Sequence, residues 1–550
     1  VYNRDLNPQP YPGINLGNVV DPVSKDSVML NYAAGPVNNN SRDALSYAGT
    51  LTFDFSPVSL RLAGTFSDLR QDLVNNAESR NTTPILTLIN PRVGERDISN
   101  GSFSAKITHV VSPKVFYEVL GGYYLENQED FDQYLKDDYW SYGDSVANAN
   151  AGWVWERSRK DIDGGKVGRY ITPTIRNILG FGFNGYGEVP VNYQKRDRQG
   201  LNFSAGMTYF AGKHHTFKLG GEYQQYTLRR WTITGQDDLA SLLDSRLQAD
   251  PNGNVDQIKR ELLITNGVNN YGYDVYGNEI DDDYDDPLTS FQDGEYFGAH
   301  QPVFIGAYIQ DRIDFNDIII NAGLRFDYFD VDNYQLVDPA LPDAGVDPTS
   351  GEFIAEGWEK SPTTQYLSPR LGISFPVTDN TVFHAQYGQF VQQSRLLDIY
   401  QGYYRTSFEI KGGFFIPSPV GKGIDPSRTT QYEIGFTQLI AEFLSVDITM
   451  YYKDVKDQVV FISQDTDPNS SFQSYSTLAN GDFATTKGIE LTFNMRRYER
   501  IAGNASFAFQ DARGTGSFPN SNRGIVGAPL ENRAFVPQYV SPLVFNNSLR

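Results

Sequence analysis

Several residue types that define common protein classes are missing from this sequence or rare in it. The 550 residues include no cysteine, which excludes disulfide frameworks, thiol catalysis and cysteine-ligated metal sites. Methionine is also rare at 4, whereas tyrosine and phenylalanine number 35 each and glycine 50. That balance differs from the composition of a helix-rich enzyme. It predicts a chain built mostly of β-sheet.

An excess of basic charge is missing as well. The chain has 67 acidic against 46 basic residues and a formal net charge of -21. Because binding to phosphates needs a basic surface, this balance argues against a nucleic-acid partner. Cations and neutral ligands fit it better.

Long apolar runs are absent too. No stretch reaches the roughly 18 consecutive apolar residues of a transmembrane helix, and the mean hydropathy is -0.44. A transmembrane β-strand escapes this test, because its lipid-facing and lumen-facing residues alternate and its average stays polar. The chain begins at Val1 without an apolar leader and stops inside a segment that reads as a strand. We therefore expect a fragment whose signal peptide lies outside it.

The strongest local pattern is alternation with a period of two. Within residues 318–328 the even positions are apolar or aromatic, whereas the odd positions include Arg325 and Asp327. Residues 303–312 alternate in the same way, and only a few residues, 315–317, separate the two runs. This pattern predicts two strands joined by a tight hairpin.

Seven such hairpins follow one another, with short turns inside each hairpin and connections of up to about 70 residues between hairpins. Short turns on one side and long loops on the other are typical of outer-membrane barrels. We therefore predict an all-β fold, a transmembrane antiparallel β-barrel with about 15 visible strands, short periplasmic turns and long extracellular loops. The hairpins pair residues 47–55 with 58–66, 103–111 with 115–125, 201–210 with 216–228, 303–312 with 318–328, 367–375 with 381–391, 431–440 with 444–453, and 487–496 with 501–511.

The alternation also assigns side chains to the two faces of the barrel. The residues expected to face lipid are Ile305, Ala307, Ile320, Leu324, Phe326, Ile448 and Leu491. Those expected to face the lumen are Arg325, Asp327, Glu433, Asp447 and Glu490. Tyrosine pairs at 123–124, 403–404 and 451–452 are expected to form an interfacial girdle at the strand ends.

Several strings in the second half of the chain resemble elements of TonB-dependent receptor barrels. Residues 425–435, DPSRTTQYEIG, resemble the family's P-x-x-T-x-x-Y-E-x-G element, and residues 451–454, YYKD, follow one hairpin later. Residues 487–491, KGIEL, resemble its G-x-E strand, and residues 367–388 contain strings similar to another of its hairpins. Together these strings span roughly residues 300–510 in ordered spacing, so the resemblance is fairly specific.

The resemblance implies a fold, a function and a location. Members of this family hold a globular plug inside a barrel of about 22 strands, and a segment ahead of the plug recruits TonB. Residues 1–550 are then a partial barrel, with the plug and the C-terminal strands expected outside the chain. The implied function is import of a scarce nutrient, such as a siderophore complex, an oligosaccharide or a peptide, across the outer membrane of a Gram-negative bacterium. The expected partners are outer-membrane lipid, the TonB complex, the nutrient and a surface lipoprotein.

A dense acidic segment at residues 274–286 is a candidate cation site. Calcium takes about six to eight oxygen ligands, and carboxylates and amide oxygens supply them. The spacing differs from that of the common calcium-binding loop, so a solvated acidic loop stays open as the alternative. The candidate ligands for calcium, the one cofactor considered, are Asp274, Asn278, Asp281, Asp283 and Asp285.

Ligand contact is expected on the long loops, because the short turns leave little surface on the other side. The candidate ligand-binding residues, chosen as exposed aromatics, are Trp140, Trp153, Trp155 and Tyr403. The alternative is that such rings form a small core inside their own loop. Residues 237–264 predict two short amphipathic helices over the barrel mouth, interrupted at 251–254.

No catalytic constellation is recognisable, so we do not expect an enzyme. His214-His215 is interpreted as part of a surface turn, because a third metal ligand is missing nearby. Two other functions stay open. A passive porin or an adhesin would share the alternation and the loops. A secreted all-β carbohydrate-binding protein or sugar-acting enzyme would instead turn its apolar strand faces toward a protein core.

Overall fold

The computed structural model describes residues 2–6, 13–35, 41–73, 92–165, 167–174, 176–183, 185, 187–280, 298–351, 353–396, 399–413, 416, 423–514, 538–539 and 543–549. Within these ranges strands far outnumber helices. None of the helices found there has the length and apolar character needed to cross a membrane.

Strands dominate the fold, as the composition predicts. In chain order they are β1 (Tyr2–Leu6), β2 (Ile14–Val20), β3 (Ser27–Tyr32), β4 (Ser41–Asp54), β5 (Val58–Leu73), β6 (Gly94–Ser112), β7 (Val115–Asp132), β8 (Arg176–Ile178), β9 (Phe181–Phe183), β10 (Gln194–Ala211), β11 (His215–Thr232), β12 (Asn269–Tyr271), β13 (Val303–Phe315), β14 (Ile318–Asp330), β15 (Tyr334–Leu336), β16 (Trp358–Lys360), β17 (Thr364–Thr378), β18 (Thr381–Gln392), β19 (Ser427–Ala441), β20 (Leu444–Gln464), β21 (Tyr475–Tyr498), β22 (Ile501–Gly514), β23 (Gln538–Tyr539) and β24 (Leu543–Leu549).

All seven predicted hairpins are present, and consecutive hairpins also pair with each other. Antiparallel pairing runs from β4 through β5, β6, β7, β10, β11, β13, β14, β17, β18, β19, β20, β21 and β22 to β24, and β1 pairs with β4. Three short ribbons, β2–β3, β8–β9 and β15–β16, lie within the long connections. The predicted all-β architecture, with short turns on one side and long connections on the other, is confirmed.

Several strands reach farther than the alternation predicts. β5 continues to Leu73 and β6 begins at Gly94, although the pattern predicts a loop over residues 67–101. In this extension Arg70 donates from Nε to the Asp97 carboxylate at 2.7 Å. The loop prediction is wrong there because ladder hydrogen bonds do not need an apolar side chain. A strand that leaves the apolar band keeps its pairing and loses its alternation.

The register shows which residues of neighbouring strands lie on the same face of the sheet, because directly opposite residues share a face. Ala307 is opposite Phe326, and Ile434 is opposite Met450. This chain of pairs places every residue predicted to face lipid on one face, which we call the apolar face: Ile305, Ala307, Ile320, Leu324, Phe326, Ile448 and Leu491. The residues predicted to face the lumen share the opposite face, which we call the polar face: Arg325, Asp327, Glu433, Asp447 and Glu490.

The tyrosine pairs do not form one girdle. In the pairs at 123–124 and 451–452 the two rings lie on opposite faces, because successive strand residues point in opposite directions. Tyr123 and Tyr452 are the members on the apolar face, where they are 40% and 43% exposed. The pair at 403–404 belongs to a helix and is buried, so the girdle prediction is wrong for it.

The helices of the described residues lie in the long connections. They are α1 (Ser145–Asn150), α2 (Arg159–Asp163), α3 (Gln236–Ala249), α4 (Val255–Thr265) and α5 (Tyr403–Gly412), with short 3-10 turns at Tyr139–Ser141, Pro342–Ala344 and Ala355–Gly357. The two predicted helices over residues 237–264 are confirmed as α3 and α4. Asn254 caps α4, since its side chain accepts hydrogen bonds from the N–H groups of Asp256 and Gln257.

The largest buried cluster lies among the long connections rather than in the sheet. Five of these connections contribute to it, and we call it the loop core. Its buried members are Leu73, Phe131, Tyr139, Tyr142, Val189, Val191, Tyr193, Trp231, Ile233, Leu239, Leu263, Val268, Tyr273, Val275, Tyr334, Leu336, Val346, Phe353, Trp358, Tyr403, Tyr404, Ile410, Ile416, Phe472 and Tyr475.

Candidate ligand-binding site

Trp231 lies at the centre of the loop core and is fully buried. Its Nε1–H donates to the Val275 carbonyl at 3.0 Å, and the Tyr139 ring centroid lies 4.8 Å from its own. Gln236, at the start of α3, accepts from the Tyr193 N–H at 2.7 Å and donates to the Tyr193 carbonyl at 2.8 Å. These contacts join two long connections into one packed unit.

A second aromatic group extends the loop core to α5. The Tyr403 ring lies 4.4 Å from Phe353 and 5.5 Å from Trp358, measured between centroids. The N–H of Gly402 donates to the Asn269 side chain at 2.7 Å, which joins the start of α5 to β12. The connections before and after the β17–β18 hairpin are therefore part of the same folded layer.

A buried ion pair holds the loop core to the strand ends. Arg92 donates from Nε and Nη2 to the two oxygens of Asp132, each at 2.7 Å, and from Nη1 to the Gly187 carbonyl at 2.7 Å. Both charged side chains are completely buried. A fully hydrogen-bonded arrangement of this kind is what makes a buried pair tolerable.

The four aromatics predicted to bind ligand do not form one platform. Trp155 and Tyr403 are only 7% and 6% exposed, so the expectation that they lie on the surface is wrong. They pack inside the loops, because connections this long need a core of their own. Trp140 and Trp153 are half-buried, and Trp153 packs edge-on against Tyr134 at 5.3 Å. Ligand contact stays a prediction for all four residues.

The acidic segment is described only in part. Asp274 accepts hydrogen bonds from the backbone N–H and from the side-chain amide of Asn278, both at 2.8 Å. Asp281, Asp283 and Asp285 lie outside the described residues. Within the described ranges, no three His, Cys, Asp or Glu side chains gather as metal ligands would. Calcium binding stays a prediction.

Arg325 on β14 bonds across β13 to β11 on the polar face. Its Nε donates to Asp327 at 2.8 Å, and its guanidinium also bonds Glu222 across the neighbouring strand. A Cβ added at Gly306 would overlap this guanidinium, so the close approach requires glycine. Two of the predicted lumen residues, Arg325 and Asp327, therefore neutralise each other's charge within a local network.

A cavity of about 710 Å³ opens along the polar face between β11 and β19. Its lining includes Arg325 and Glu433 together with Lys218 and Arg370. The Arg370 guanidinium lies 4.6 Å over the Phe390 ring. A cavity lined by this many charged groups suits water and polar solutes rather than hydrocarbon. Asp447 and Glu490 lie on the same face farther along the sheet.

Five aromatic rings form an arc across the loop ends of the strands on the polar face. We call it the aromatic arc, and it runs through Tyr124, Tyr226, Phe304, Phe329 and Tyr366 on five different strands. Successive ring centroids are 6.1, 5.8, 5.7 and 6.2 Å apart, within the range in which aromatic pairs attract.

Gly200 makes the first step of the aromatic arc possible. It lies on β10 opposite both Tyr124 and Tyr226, so the two tyrosines are separated by a whole strand. A Cβ at this position would overlap the Tyr124 ring. The glycine therefore allows the two rings to meet across the strand between them.

Three arginines lie beside the Tyr124 end of the arc, and we call them the arginine patch. Arg196 and Arg230 are directly opposite in the β10–β11 ladder, and Arg198 follows two residues along on the same face. All three are half-buried. Arg198 lies 3.5 Å from the Glu126 carboxylate, whereas the Nε of Arg230 is buried with no hydrogen-bond partner among the residues that the structure describes.

His300 is the one strongly buried histidine at the loop ends of the described strands. Its Nδ1–H donates to the Asp332 carbonyl at 2.8 Å, and the Tyr400 ring stacks on it at 4.2 Å. Burial lowers the pKa of His300 below its ordinary value, and the nearby charge of Asp332 opposes this shift without cancelling it. The imidazole is therefore neutral at pH 7.

A family model described as TonB dependent receptor-like, beta-barrel matches residues 122–549. The chain belongs to this family. Among solved structures, it is similar to the outer membrane transporter YddB from Escherichia coli, at 11% identity and a TM-score of 0.50 over 90% of this chain and 50% of that chain.

Two further solved structures are similar to this TonB-dependent receptor barrel. The FrpB iron transporter from Neisseria meningitidis has 14% identity and a TM-score of 0.48, over 94% of this chain and 58% of that one. BauA, the ferric preacinetobactin receptor from Acinetobacter baumannii, has 10% identity and a TM-score of 0.46, over 88% and 57%. The barrel thus spans little more than half the length of these structures, and such low identities show the fold alone. No curated protein matches the chain.

The family match confirms the resemblance drawn from the motif strings. The family and the similar structures are receptors and transporters of the Gram-negative outer membrane rather than enzymes. The aromatic arc and the arginine patch, however, are groups of neighbouring residues on the polar face that sequence reasoning misses. Each of their residues falls on the polar face of its own strand, but only the register between strands shows that they are neighbours. The two arginines at 196 and 198, spaced for one face and followed by Gly200, are the signal available in the sequence.

Proposed function

We propose that this chain forms the barrel of an outer-membrane receptor that imports a scarce nutrient with energy supplied through TonB. The observation that carries the proposal is the division of one continuous sheet into two faces. Large side chains on the apolar face are widely exposed, among them Ile309 at 56%, Leu371 at 52% and Phe509 at 54%. An exposed apolar face that crosses so many strands requires lipid.

The polar face and the loop core support the second half of the proposal. Charged residues such as Arg370 and Glu433 line a cavity on the polar face, which suits the passage of a polar solute. The loop core folds five long connections into one layer at the loop ends of the strands. A ligand captured from outside the cell would meet that layer first and the polar face behind it.

The ligand class of the receptor is an open part of the proposal. A siderophore complex, an oligosaccharide and a peptide all suit a barrel of this kind, and the fold does not select among them. Calcium in the segment 274–286 and a surface lipoprotein as a partner are further expectations. Neither follows from contacts among the described residues.

Uptake by intact cells tests the proposal. Cells that produce the full gene product are given labelled siderophore complexes, oligosaccharides or peptides, with and without a working TonB. We expect uptake of one class that needs both the receptor and TonB. Equal uptake in cells without TonB would identify a passive porin. Surface attachment without any uptake would identify an adhesin, and a detergent-free soluble product would identify a secreted binding protein.

A further inference from the structure

We propose that β17 and β18 form a seam in the sheet, which is closed at its loop end by side-chain contacts instead of ladder hydrogen bonds and opens there between the lumen and the lipid. The seam consists of residues 364–369 of β17 and residues 389–392 of β18. The inference goes beyond the proposed function, because it concerns a movement of the sheet and does not depend on which nutrient is imported.

The pairing between β17 and β18 ends well before either strand does. It runs from the turn to Arg370, which is opposite Gly388, and stops there. On their outer sides both strands stay paired, β17 with β14 as far as Thr364 and β18 with β19 as far as Gln392. The two facing edges of the seam, all of them described residues, are therefore not paired with each other inside an otherwise continuous sheet.

The sequence contains a cause for this interruption. Pro369 is the first residue of β17 beyond the end of the ladder with β18. Proline has no N–H to donate, so it interrupts a ladder on the side to which that N–H would point. The ladder with β14 passes Pro369, opposite Leu324, without a break. The missing donor therefore falls on the β18 side.

A cavity of about 260 Å³ lies in the seam. Its lining includes side chains of both strands and of both faces of the sheet. Successive side chains of a strand point to opposite faces, so a cavity touches both faces only where two strands part. The lining residues from the two strands are Tyr366, Ser368 and Phe390 on the polar face and Leu367, Gln389 and Val391 on the apolar face.

Two contacts between a guanidinium and an aromatic ring cross the seam. Arg370 on β17 lies 4.6 Å over the Phe390 ring on β18, just where the ladder ends. Farther toward the loops, Arg428 on β19 lies 6.0 Å from the Tyr366 ring on β17, and its Nε donates to Asp457 at 2.6 Å. Such contacts are weaker than a run of ladder hydrogen bonds, and each can break separately.

The position of the seam gives it a role in the sheet. Leu367 is 60% exposed on the apolar face, so the seam borders the lipid. Lipid offers backbone groups no hydrogen-bond partner, which makes a parted ladder costly there. A feature that opposes stability in this way is expected where function requires it. An open seam would connect the polar face with the lipid, which suits a solute that has a polar and an apolar part.

Disulfide trapping in the full gene product, reconstituted in bilayers, tests the seam, since residues 1–550 contain no cysteine. Leu367→Cys with Val391→Cys crosses the seam, and Ile373→Cys with Ala385→Cys crosses the paired half of the same ladder as the matched control. Both pairs lie on the apolar face and would have the same geometry if the ladder continued. A disulfide forms only where the Cα atoms approach within about 7 Å.

We expect the control pair to form its disulfide at least about ten-fold faster than the seam pair under mild oxidation. Amide hydrogen exchange in the unsubstituted protein should be at least about ten-fold faster in residues 365–369 and 389–391 than in 371–375 and 383–387, since ten-fold corresponds to about one lost ladder bond. Equal disulfide rates, or equal exchange in the two halves, would overturn the inference because they would show a closed ladder.

Phe390→Leu tests whether side-chain contacts close the seam, because it removes the ring beneath Arg370. Phe383→Leu is the matched control on the same strand, in the paired half of the ladder. We expect Phe390→Leu to speed amide exchange several-fold in the seam and Phe383→Leu to leave the seam unchanged. Equal exchange in the two variants would overturn this closing role. A seam that stays closed would contradict this inference alone, and nutrient uptake without TonB would contradict the proposed function alone.

Discussion

Arg92 in the loop core and Arg230 on the polar face both lie at the loop ends of strands, and their surroundings are opposite. Arg92 is completely buried, and its guanidinium donates to both carboxylate oxygens of Asp132 and to the Gly187 carbonyl. Arg230 is half-buried, faces Arg196, and keeps a buried Nε without a partner among the described residues. The loop core satisfies its charges internally, as a folded core must. The polar face instead places two like charges, Arg196 and Arg230, directly opposite each other.

Breaking the pair in the loop core should give the largest effect. Arg92→Gln leaves the Asp132 carboxylate buried without its counter-charge, which costs about 3–5 kcal/mol when a buried pair loses one partner. We expect faster amide hydrogen exchange over the 3-10 turn Tyr139–Ser141 and α1, while exchange in β6 and β7 below the strand ends stays slow. Mass spectrometry of peptic fragments would measure both regions in one experiment.

The control for this variant is Arg70→Gln. Arg70 pairs with Asp97 at 2.5 Å, but its side chain is 57% exposed, and exposed pairs contribute at most about 1 kcal/mol. If the two variants opened the loop core to the same extent, the buried pair would not be what holds it.

A methyl group added at Gly200 should lower the stability less, and its effect should be confined to the sheet around the aromatic arc. Gly200→Ala overlaps the Tyr124 ring, and the steric strain of such overpacking costs about 1–3 kcal/mol. We expect the tyrosine fluorescence of the aromatic arc to change while the loop core keeps its exchange protection. Gly49→Ala is the matched control, since a Cβ at that strand position meets no atom within 4 Å. An unchanged spectrum in Gly200→Ala would show that the arc tolerates displacement of its first ring.

The sequence predicts the strands of the sheet and their two faces far better than it predicts the loop core. Alternation is a local signal, so the seven hairpins and the division of residues such as Leu324 and Arg325 between two faces follow from the pattern alone. The loop core depends on contacts between connections that are distant in sequence, such as that of Gly402 with Asn269. Sequence periodicity does not reveal such a contact, which is why the prediction that Tyr403 lies exposed is wrong.

The candidate site shows the same limit. Arg196, Arg198 and Gly200 are visible as polar-face positions of one strand, but the positions of Arg230 and Tyr226 opposite them are fixed by the length of the turn at residues 212–214. A register shifted by one residue would send both to the apolar face. The site is therefore a property of the register rather than of any single segment.

The smallest effect should be a dependence on pH at the edge of the loop core. The pKa of His300 is lowered by burial from its ordinary value of 6.5, against the raising influence of Asp332. Because the folded state disfavours the proton, the stability that the neutral imidazole contributes is present above pH 6.5 and is lost as the pH falls through the lowered value. Among the described residues, the titratable groups packed around it are Asp332, Tyr271 and Tyr400, and the tyrosines stay neutral in this range.

Amide exchange near β12 and the start of β13, measured between pH 7 and pH 5 and corrected for intrinsic rates, would detect this loss. We expect local opening to become easier at the lower pH in the wild type, and the dependence to be flatter in His300→Gln. His215→Gln is a suitable control, because His215 pairs with Asp311 in an exposed turn on the opposite side. Equal pH dependence in His300→Gln and the wild type would assign the effect to another group.

The central claim is that one sheet presents an apolar face to lipid and a polar face to water, and nitroxide labels at adjacent strand positions test it most directly. In bilayers, oxygen is concentrated in lipid and a nickel chelate in water, so their relative collision rates with each label report its surroundings. The account predicts that oxygen dominates at Leu324, Ile448 and Leu491 and that the nickel chelate dominates at Arg325, Asp447 and Glu490. Equal access of the nickel chelate to both members of each adjacent pair would contradict it.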